Sequence, residues 1–361
     1  MIRYDALAKH VLSSTLGIQS GDNVIVETWD HGLPIASAFV YALREQGACP
    51  MLMFEHEDTF WKSAASLPED KLGKVGEHEW AAIEKAKGYI FIPGPADFQR
   101  VWKNRPKFGA AVSYNDEWYE RAKRYRLKGA RIGLGYATQS RANAYGLSLS
   151  AWQRMLFAAS TVDFTVLRDR AARLAPMLQN GQVKITAPNG TNLTVRLAGR
   201  TPHSEDCIVD DDDLDHGRNV ANIPGGNILV CPDESYAEGA VLFDRPASYM
   251  GRWVGGVRFN FKNGVLSNYQ ARLNAATLKA GYEKASGDKN RIAAIGLGLN
   301  PKARIGFLQD NIVAGSVTVA IGSNENLGGA NKSNFYLPGV ITKATLSVGD
   351  NRIVKNGKLV L

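Results

Sequence analysis

Cysteine is scarce in this chain, and the few cysteines lie far apart. Cys49, Cys207 and Cys231 are the three cysteines among 361 residues, and their spacing fits neither a disulfide framework nor a thiolate metal site. Long apolar runs are also missing, and the first residues lack the apolar core of a signal peptide. The sequence therefore predicts a cytoplasmic protein that has no membrane partner.

Histidine is rare as well, and its distribution is uneven. The chain has six histidines, and all of them lie at or before residue 216. They are His10, His31, His56, His78, His203 and His216. The rest of the chain therefore has no imidazole that could hold a transition metal.

Basic residues outnumber acidic ones, which gives a net charge of +8 and an isoelectric point of about 9.3. They are densest at residues 121–128, which read RAKRYRLK. No nucleic-acid-binding motif accompanies this run, so we interpret it as the solvated face of one helix and expect no nucleic-acid partner. Electrostatic attraction of an anionic substrate is the alternative interpretation.

Residues 1–170 alternate between strand and helix patterns, and the first domain is placed at residues 1–180. Four short apolar runs suit buried strands, at residues 23–27, 50–54, 88–93 and 131–135. A helical stretch at residues 34–45 connects the first two runs. Strands separated by helices of this length imply crossover connections. We therefore predict an α/β domain with a mainly parallel sheet that is covered on both faces.

Residues 181–361 have a different character, with short apolar runs parted by turn signals such as PNG, PGG and KNG. Strands are predicted at residues 182–186, 193–197, 228–231, 240–243, 254–261, 264–266, 317–322 and 344–348. A helix is expected at residues 268–284. The second domain is therefore predicted to be a β-rich antiparallel sheet or barrel, and the domain boundary is placed near residue 180.

Several segments of the second half follow one another in a recognisable order. They are PNGTNLTV at 188–195, NIPGGNI at 222–228, PDESYAEGAVLFD at 232–244 and GLNP at 298–301, followed by AIG at 320–322 and NKS at 331–333. In order and spacing these segments resemble the M29 family of aminopeptidase T-like metallopeptidases. The match is specific over the second half and rests on pattern over the first.

The resemblance implies an α/β N-terminal domain, a β-rich C-terminal domain that carries the active-site cavity, and a homodimer. It also implies two divalent metal ions that activate a bridging water and polarise the scissile carbonyl. The expected substrate is a peptide or another small molecule. The ring-cleaving 2,5-dihydroxypyridine dioxygenases have a similar scaffold, so the fold alone does not determine the reaction.

The metal ligands that the resemblance implies are mostly replaced in this chain. Glu238 falls on the first carboxylate position, whereas Ala294, Thr318, Tyr336 and Pro338 fall on four others. A shifted alignment does not restore the set, because no histidine follows residue 216. We therefore expect no metal cofactor, and a single divalent ion at Glu238 is the alternative.

Metal-independent chemistry would need other groups in the same cavity. Glu238 and Glu325 are the candidate general acid or base, since a partly desolvated carboxylate gains a raised pKa. Lys332 and Tyr336 are the candidates for stabilising an oxyanion. This first hypothesis describes a hydrolase-like enzyme that works without the two-metal centre.

Two further hypotheses remain open, and Asn324 and Asn331 are the candidate substrate-binding residues in the same segments. In the second hypothesis the protein is a non-catalytic descendant that binds a small molecule or peptide in the old cavity. In the third, it keeps one metal, held by Glu238 with Glu325 or with a residue of a dimer mate, and is related to the dioxygenases.

Three other features have a structural and a functional interpretation. Residues 210–216, DDDDLDH, predict a solvated acidic turn or helix start, with cation binding as the alternative. His31 follows the first strand, where ligand groups often lie, although a capping or surface role is more typical. The aromatic residues are expected mainly in the core, with an aromatic ligand pocket as the alternative: Trp29, Trp61, Trp102, Trp118, Trp152, Trp253 and Tyr249.

Overall fold

A computed structural model describes residues 3–72, 74–103, 109–306 and 309–360. The chain divides into two compact units. The first, called the parallel-sheet unit, comprises Met1–Thr161 and Cys207–Pro224. The second, called the antiparallel-sheet unit, comprises Val162–Asp206 and Gly225–Leu361. Residue 180, near which a single boundary is expected, lies inside the second unit, which begins at Val162. The chain also returns once to the first unit, at Cys207–Pro224.

The parallel-sheet unit is built from helices and strands that alternate along the chain. Its strands are β1 Asn23–Trp29, β2 Cys49–Glu55, β3 Gly88–Phe91, β4 Lys128–Ile132 and, after the return of the chain, β8 Val220–Ile223. Its α-helices are α1 Tyr4–His10, α2 Leu33–Glu45, α3 Glu57–Ser66, α4 Glu69–Leu72, α5 Glu77–Lys85, α6 Phe98–Lys103, α7 Gly109–Arg124, α8 Gln139–Tyr145, α9 Leu149–Ser160 and α11 Asp211–Asp215.

The five strands form one sheet in the order β2-β1-β3-β4-β8, and every neighbouring pair is parallel. Apolar side chains on one face of this sheet pack against α5 and α7. Ile25, Tyr89, Ile83 and Trp118 are buried together in that layer. This arrangement confirms the predicted α/β fold with a mainly parallel sheet.

The antiparallel-sheet unit contains fifteen labelled strands among the described residues. They are β5 Asn180–Thr186, β6 Asn192–Ala198, β7 His203–Glu205, β9 Asn227–Val230, β10 Pro232–Leu242, β11 Ala247–Tyr249, β12 Arg252–Val254, β13 Arg258–Lys262, β14 Val265–Gln270, β15 Ile292–Gly298, β16 Val317–Gly322, β17 Tyr336–Ile341, β18 Thr345–Val348, β19 Asn351–Lys355 and β20 Lys358–Leu359. Its α-helices are α10 Phe164–Leu174 and α12 Ala275–Lys284.

These strands form two large antiparallel sheets and one hairpin. Eight strands have the order β14-β13-β10-β6-β5-β18-β19-β20, and five have the order β17-β16-β15-β9-β7. Along β6, Leu193, Val195 and Leu197 alternate inward with exposed or partly exposed neighbours, as expected for a strand with one buried face. The predicted β-rich, antiparallel second half is thus confirmed.

Three local predictions differ from the structure. The helix expected at 268–284 begins only at Ala275, because residues up to Gln270 pair with β13. The run at 254–261 is divided between β12 and β13. The central strand β15 and the edge strand β17 of the five-stranded sheet are absent from the list of predicted strands. No helix among the described residues combines the length and the apolarity that a bilayer crossing requires.

Candidate functional site

The strand β10 carries two glutamates that have different surroundings. Glu238 is partly buried and lies opposite Thr194 of β6. Its carboxylate accepts a hydrogen bond from the backbone N–H of Asn263 at 2.5 Å. Among the described residues Glu238 has no cationic partner. It is therefore a carboxylate that is available to a positively charged or proton-donating ligand.

The second glutamate, Glu234, is held in a two-point salt bridge. Arg200 donates from Nη1 and Nη2 to the two carboxylate oxygens at 2.7 and 2.8 Å, and 12% of the Glu234 side chain is exposed. Burial alone would raise the pKa of Glu234, but the hydrogen bonds from Arg200, the Ala330 N–H and Asn324 outweigh it and lower the pKa to about 2. Glu234 is therefore ionised at neutral pH.

The two candidate substrate-binding asparagines are buried and engaged with the protein itself. Asn324 Nδ2 donates to Glu234 at 3.0 Å and to the Ala293 carbonyl at 3.1 Å, and its Oδ1 accepts from the Asn331 N–H at 2.8 Å. Asn331 Nδ2 donates to the carbonyls of Ile292 and Gly322 at 2.8 and 2.9 Å. These side chains fix the loop between β16 and β17 against β15 and β10.

The candidate pair Glu325 and Lys332 lies at the surface of the same loop. The Lys332 Nζ and a Glu325 carboxylate oxygen are 4.0 Å apart, and 82% and 50% of their side chains are exposed. A pair with this exposure gains little from Coulomb attraction and is screened by salt. The structure therefore brings these two residues near each other, but in solvent.

Tyr336 is the first residue of β17 and lies opposite Gly322 of β16. Its side chain is 41% exposed. Burial of its hydroxyl, together with the negative charge of Glu205, raises the pKa of Tyr336 to about 12. The phenol is therefore a neutral hydrogen-bond donor at neutral pH.

The four positions at which the resemblance implies metal ligands share one face of the five-stranded sheet. Ala294 lies opposite Ala320, and Ala320 lies opposite Pro338. Thr318 and Tyr336 are two residues before Ala320 and Pro338 on the same strands, and side chains two residues apart share a face. The four positions therefore lie on one face of three neighbouring strands, and the side chains of Ala294 and Pro338 have no atom that could coordinate a metal ion.

Sequence reasoning did not find Arg200, Glu234 or Cys231 as parts of this region. Glu234 lies in the quoted PDESYAEG segment, but Arg200 lies far from it in sequence and in no motif. Cys231 is buried, its Sγ lies 3.3 Å from the Leu327 carbonyl, and burial raises the pKa of the thiol to about 11. This thiol is therefore neutral and serves packing.

The acidic run at 210–216 forms the start of the short helix α11, as predicted. Asp210 and Asp213 form a reciprocal capping box. Arg126, from the basic run after α7, pairs with Asp211 and Asp215 at 3.2 and 2.6 Å. Within the described residues, Asp210, Asp212 and Asp213 are the one group of three metal-ligand side chains that converge. Their bonding is that of a helix start.

His31 lies in a short 3₁₀ turn after β1. Its Nε2 is 3.1 Å from the Pro93 carbonyl and 3.0 Å from the Gly135 carbonyl. Since carbonyls are acceptors, Nε2 carries the proton in this geometry. His31 therefore ties together the segments that follow β1, β3 and β4.

The family model described as thermophilic metalloprotease (M29) matches residues 2–290. No curated protein matches the chain. Among solved structures, wild-type AmpT from Thermus thermophilus matches with a TM-score of 0.75 and 17% identity over 99% of both chains. The 2,5-dihydroxypyridine dioxygenase from Pseudomonas putida KT2440 matches with a TM-score of 0.64 and 13% identity over 99% of this chain and 96% of its own. At these identities the two structures establish similarity of fold.

Proposed function

The chain belongs to the M29 metallopeptidase family, and on this basis we propose that it binds peptides in its antiparallel-sheet unit without cleaving them through a two-metal centre. The peptide is favoured as the ligand because the family is one of proteases. The absence of two-metal cleavage is favoured by the side chains of this chain at the ligand positions.

The observation that carries the proposal is the donor chemistry of the face formed by β15, β16 and β17. Ala294 and Pro338 offer no donor atom, and Thr318 offers a neutral hydroxyl. Tyr336 is protonated at neutral pH, as an ordinary phenol is, and its pKa is raised further to about 12. Two adjacent divalent ions need several carboxylates and imidazoles to compensate their charge. The residues present do not fit such a centre.

Glu234 does not replace the missing ligands. Both of its oxygens are already engaged by Arg200, and Asn324 and the Ala330 N–H bind the first of them as well. A carboxylate with a pKa lowered to about 2 is also a poor general base at neutral pH. Glu234 instead holds the loop between β16 and β17 in place through its hydrogen bonds to Asn324 and the Ala330 N–H.

Glu238 supplies a recognition group for a peptide. It is partly buried and lacks a cationic partner among the described residues, so an α-ammonium group would complete its charge. A hydrogen bond to a charged group contributes about 1.5–3 kcal/mol to the free energy of an interaction. We therefore propose that the Glu238 carboxylate binds the α-ammonium group at the amino terminus of the peptide.

The experiment compares the binding of a short peptide with that of its N-acetylated form by isothermal titration calorimetry. The metal content of the purified protein is measured beforehand. We expect saturable binding of the free peptide, binding weaker by about tenfold or more for the acetylated form, and no product by mass spectrometry with or without added zinc or cobalt. Glu238→Gln removes the difference between the two peptides, and the exposed Glu325→Gln keeps it. Two metal equivalents per purified chain, or cleavage that needs them, would overturn the proposal.

A second candidate is metal-independent hydrolysis, and it is favoured by the same partly buried carboxylate of Glu238, which has no cationic partner in the described part of the chain. In this version Glu238 activates water, Glu325 assists as the second carboxylate, and Tyr336 or Lys332 donates to the oxyanion. Product formation in excess chelator that is lost in Glu238→Gln would establish it. Stoichiometric binding of one divalent ion that Glu238→Gln abolishes would instead establish the single-metal version.

The homodimer is a separate proposal that follows from family membership. Light scattering coupled to size-exclusion chromatography measures the mass of the species in solution. We expect twice the chain mass of 39.3 kDa. A mass equal to that of one chain across the accessible concentration range would contradict the dimer.

A further inference from the structure

The parallel-sheet unit has an acid and an arginine in one row across its sheet. Glu27 of β1 lies opposite Phe91 of β3, and Phe91 lies opposite Arg131 of β4. Residues opposite each other in register point to the same face of a sheet. The row lies towards the carboxyl ends of the strands, where open α/β sheets bind their ligands.

A pocket of about 120 Å³ opens beside this row. Glu27 and Arg131 line it, and so do aromatic side chains from the sheet and from α7, among them Phe91, Tyr114 and Trp118. A dry cavity of roughly 150 Å³ holds a molecule of the size of benzene. The pocket therefore matches a ligand with a single ring.

The acidic end of the pocket is formed by Glu27. The hydroxyl of Tyr89 donates a hydrogen bond to its carboxylate, and no described residue forms a salt bridge with it. Burial raises the pKa of Glu27 to about 7 against the effect of the Tyr89 hydrogen bond, and the charges of Glu79 and Glu55 add to the rise. At neutral pH the carboxyl group can therefore either donate or accept a hydrogen bond.

The basic end is formed by Arg131, and its bonding is incomplete. Its Nη2 donates to the Tyr119 hydroxyl at 3.1 Å, and its guanidinium lies 5.8 Å from the centroid of the Phe91 ring. Its Nε is buried without a hydrogen-bond partner, and within the described part of the chain no carboxylate pairs with this side chain. An anion would stabilise such a half-buried guanidinium by supplying the counter-charge and the hydrogen-bond acceptors that it lacks.

We propose that this pocket binds a small aromatic monocarboxylate that carries a hydrogen-bond donor at the end opposite its carboxylate. The carboxylate pairs with Arg131, the ring lies over Phe91 and beside Trp118, and the donor reaches Glu27. The strands β1 and β4 are two strand spacings apart, or about 10 Å, which suits a para-substituted ring between the two side chains. A dianionic phosphate is disfavoured because Glu27 lines the opposite end of the pocket and the negative charges of Glu79 and Glu55 act there as well.

The site is separate from the proposed peptide site, so either proposal can fail without the other. The test titrates the full chain with 4-hydroxybenzoate, benzoate, phenol and phenyl phosphate, and it follows tryptophan fluorescence and calorimetric heat. We expect saturable binding with 4-hydroxybenzoate tightest, because that probe alone reaches both ends of the pocket. Absence of saturable binding by the two carboxylates, or tighter binding of phenyl phosphate, would overturn the proposal.

Two arginine variants locate the carboxylate. Arg131→Met keeps the apolar stem and is expected to weaken 4-hydroxybenzoate by about tenfold or more while phenol binding stays unchanged. Arg124→Met, an exposed position of α7, leaves all four affinities unchanged. Retained phenol binding also demonstrates that the Arg131 variant is folded. Equal affinity of the wild type and Arg131→Met for 4-hydroxybenzoate would remove Arg131 from the site.

Discussion

Arg200 and Glu234 are joined by two parallel hydrogen bonds of 2.7 and 2.8 Å, and this pair organises the loop between β16 and β17. Arg200 follows β6, whereas Glu234 lies on β10. The same carboxylate also accepts from Asn324 and from the Ala330 N–H. One ion pair therefore connects three segments, which gives it a larger effect on stability than an isolated surface pair.

Removing the arginine leaves a largely buried carboxylate without its counter-charge. Arg200→Met is expected to lower the free energy of unfolding by about 3 kcal/mol, because removing one partner of a buried ion pair leaves the charge of the other partner buried and uncompensated. Urea denaturation at pH 7 measures the change. Arg196→Met is the matched control, since the Arg196 side chain is 57% exposed and lies 3.9 Å from Asp233. A loss for Arg200→Met no greater than that of the control would show that the pair does not stabilise the unit.

The same pair predicts a dependence of stability on acid. The pKa of Glu234 is lowered from 4.5 to about 2 in the folded protein, so the unfolded chain takes up its proton first. The stabilisation is complete above pH 4.5 and is lost as the pH falls from there through about 2, by about 3 kcal/mol in all. Denaturation of wild type and Glu234→Gln across this range measures it. Parallel pH curves for the two proteins would contradict the prediction.

Glu27 predicts the opposite dependence at higher pH. Its pKa is raised from 4.5 to about 7, so the folded protein keeps a proton that the unfolded chain has already released. Stability falls as the pH rises from 4.5 to 7, by up to about 3 kcal/mol. Glu27→Gln removes this slope, whereas Glu84→Gln, at an exposed position, keeps it. Thermal unfolding at pH 5 and pH 8 distinguishes the two, and an unchanged slope in Glu27→Gln would refute the assignment.

Local apolar runs were sufficient to predict much of the fold. The strands β1, β3 and β16 coincide closely with short apolar runs, because both faces of these strands are largely buried. The sequence does not predict the strand β8, because its apolar pattern is short and its pairing with β4 makes it a strand. Strand pairing between segments that are distant in sequence cannot be predicted from a short stretch of neighbouring residues.

The candidate site was predictable in part. The resemblance assigns metal-ligand positions to Ala294, Thr318, Tyr336 and Pro338, and the strand register brings these four residues onto one face of β15, β16 and β17. The salt bridge between Arg200 and Glu234 cannot be predicted from the sequence, because neither residue spacing nor composition indicates which residues of separate segments meet in the fold. The sequence predicts Asn324 and Asn331 to bind substrate, and their hydrogen bonds to backbone carbonyls appear only in three dimensions.

Asn331 is expected to contribute to stability through its buried side chain. Asn331→Ala removes the donors to the carbonyls of Ile292 and Gly322 and leaves both acceptors in a buried layer. The free energy of unfolding is expected to fall by about 2–3 kcal/mol. Asn326→Ala, at an exposed position of the same loop, serves as the control and should stay within about 0.5 kcal/mol of wild type. Similar losses in both variants would show that the loop tolerates the missing bonds.

Reintroducing donors at the four replaced positions tests whether the backbone still supports a metal site. The variant Ala294→Glu, Thr318→His, Tyr336→His and Pro338→Asp places two carboxylates and two imidazoles on one face of three neighbouring strands, and four such ligands suffice for a tetrahedral zinc site. We expect the variant to bind zinc or cobalt stoichiometrically, with the absorption of four-coordinate cobalt as the readout.

The partial variant Tyr336→His and Pro338→Asp separates a formed site from loose binding, since it changes only the two exposed positions and supplies two ligands. It should bind cobalt more weakly than the fourfold variant, because two ligands leave most of the coordination sphere to water. Near-ultraviolet circular dichroism verifies that both variants are folded. A folded fourfold variant that binds cobalt no better than wild type would show that these positions do not converge on a metal, and the family correspondence at Ala294, Thr318, Tyr336 and Pro338 would have to be abandoned.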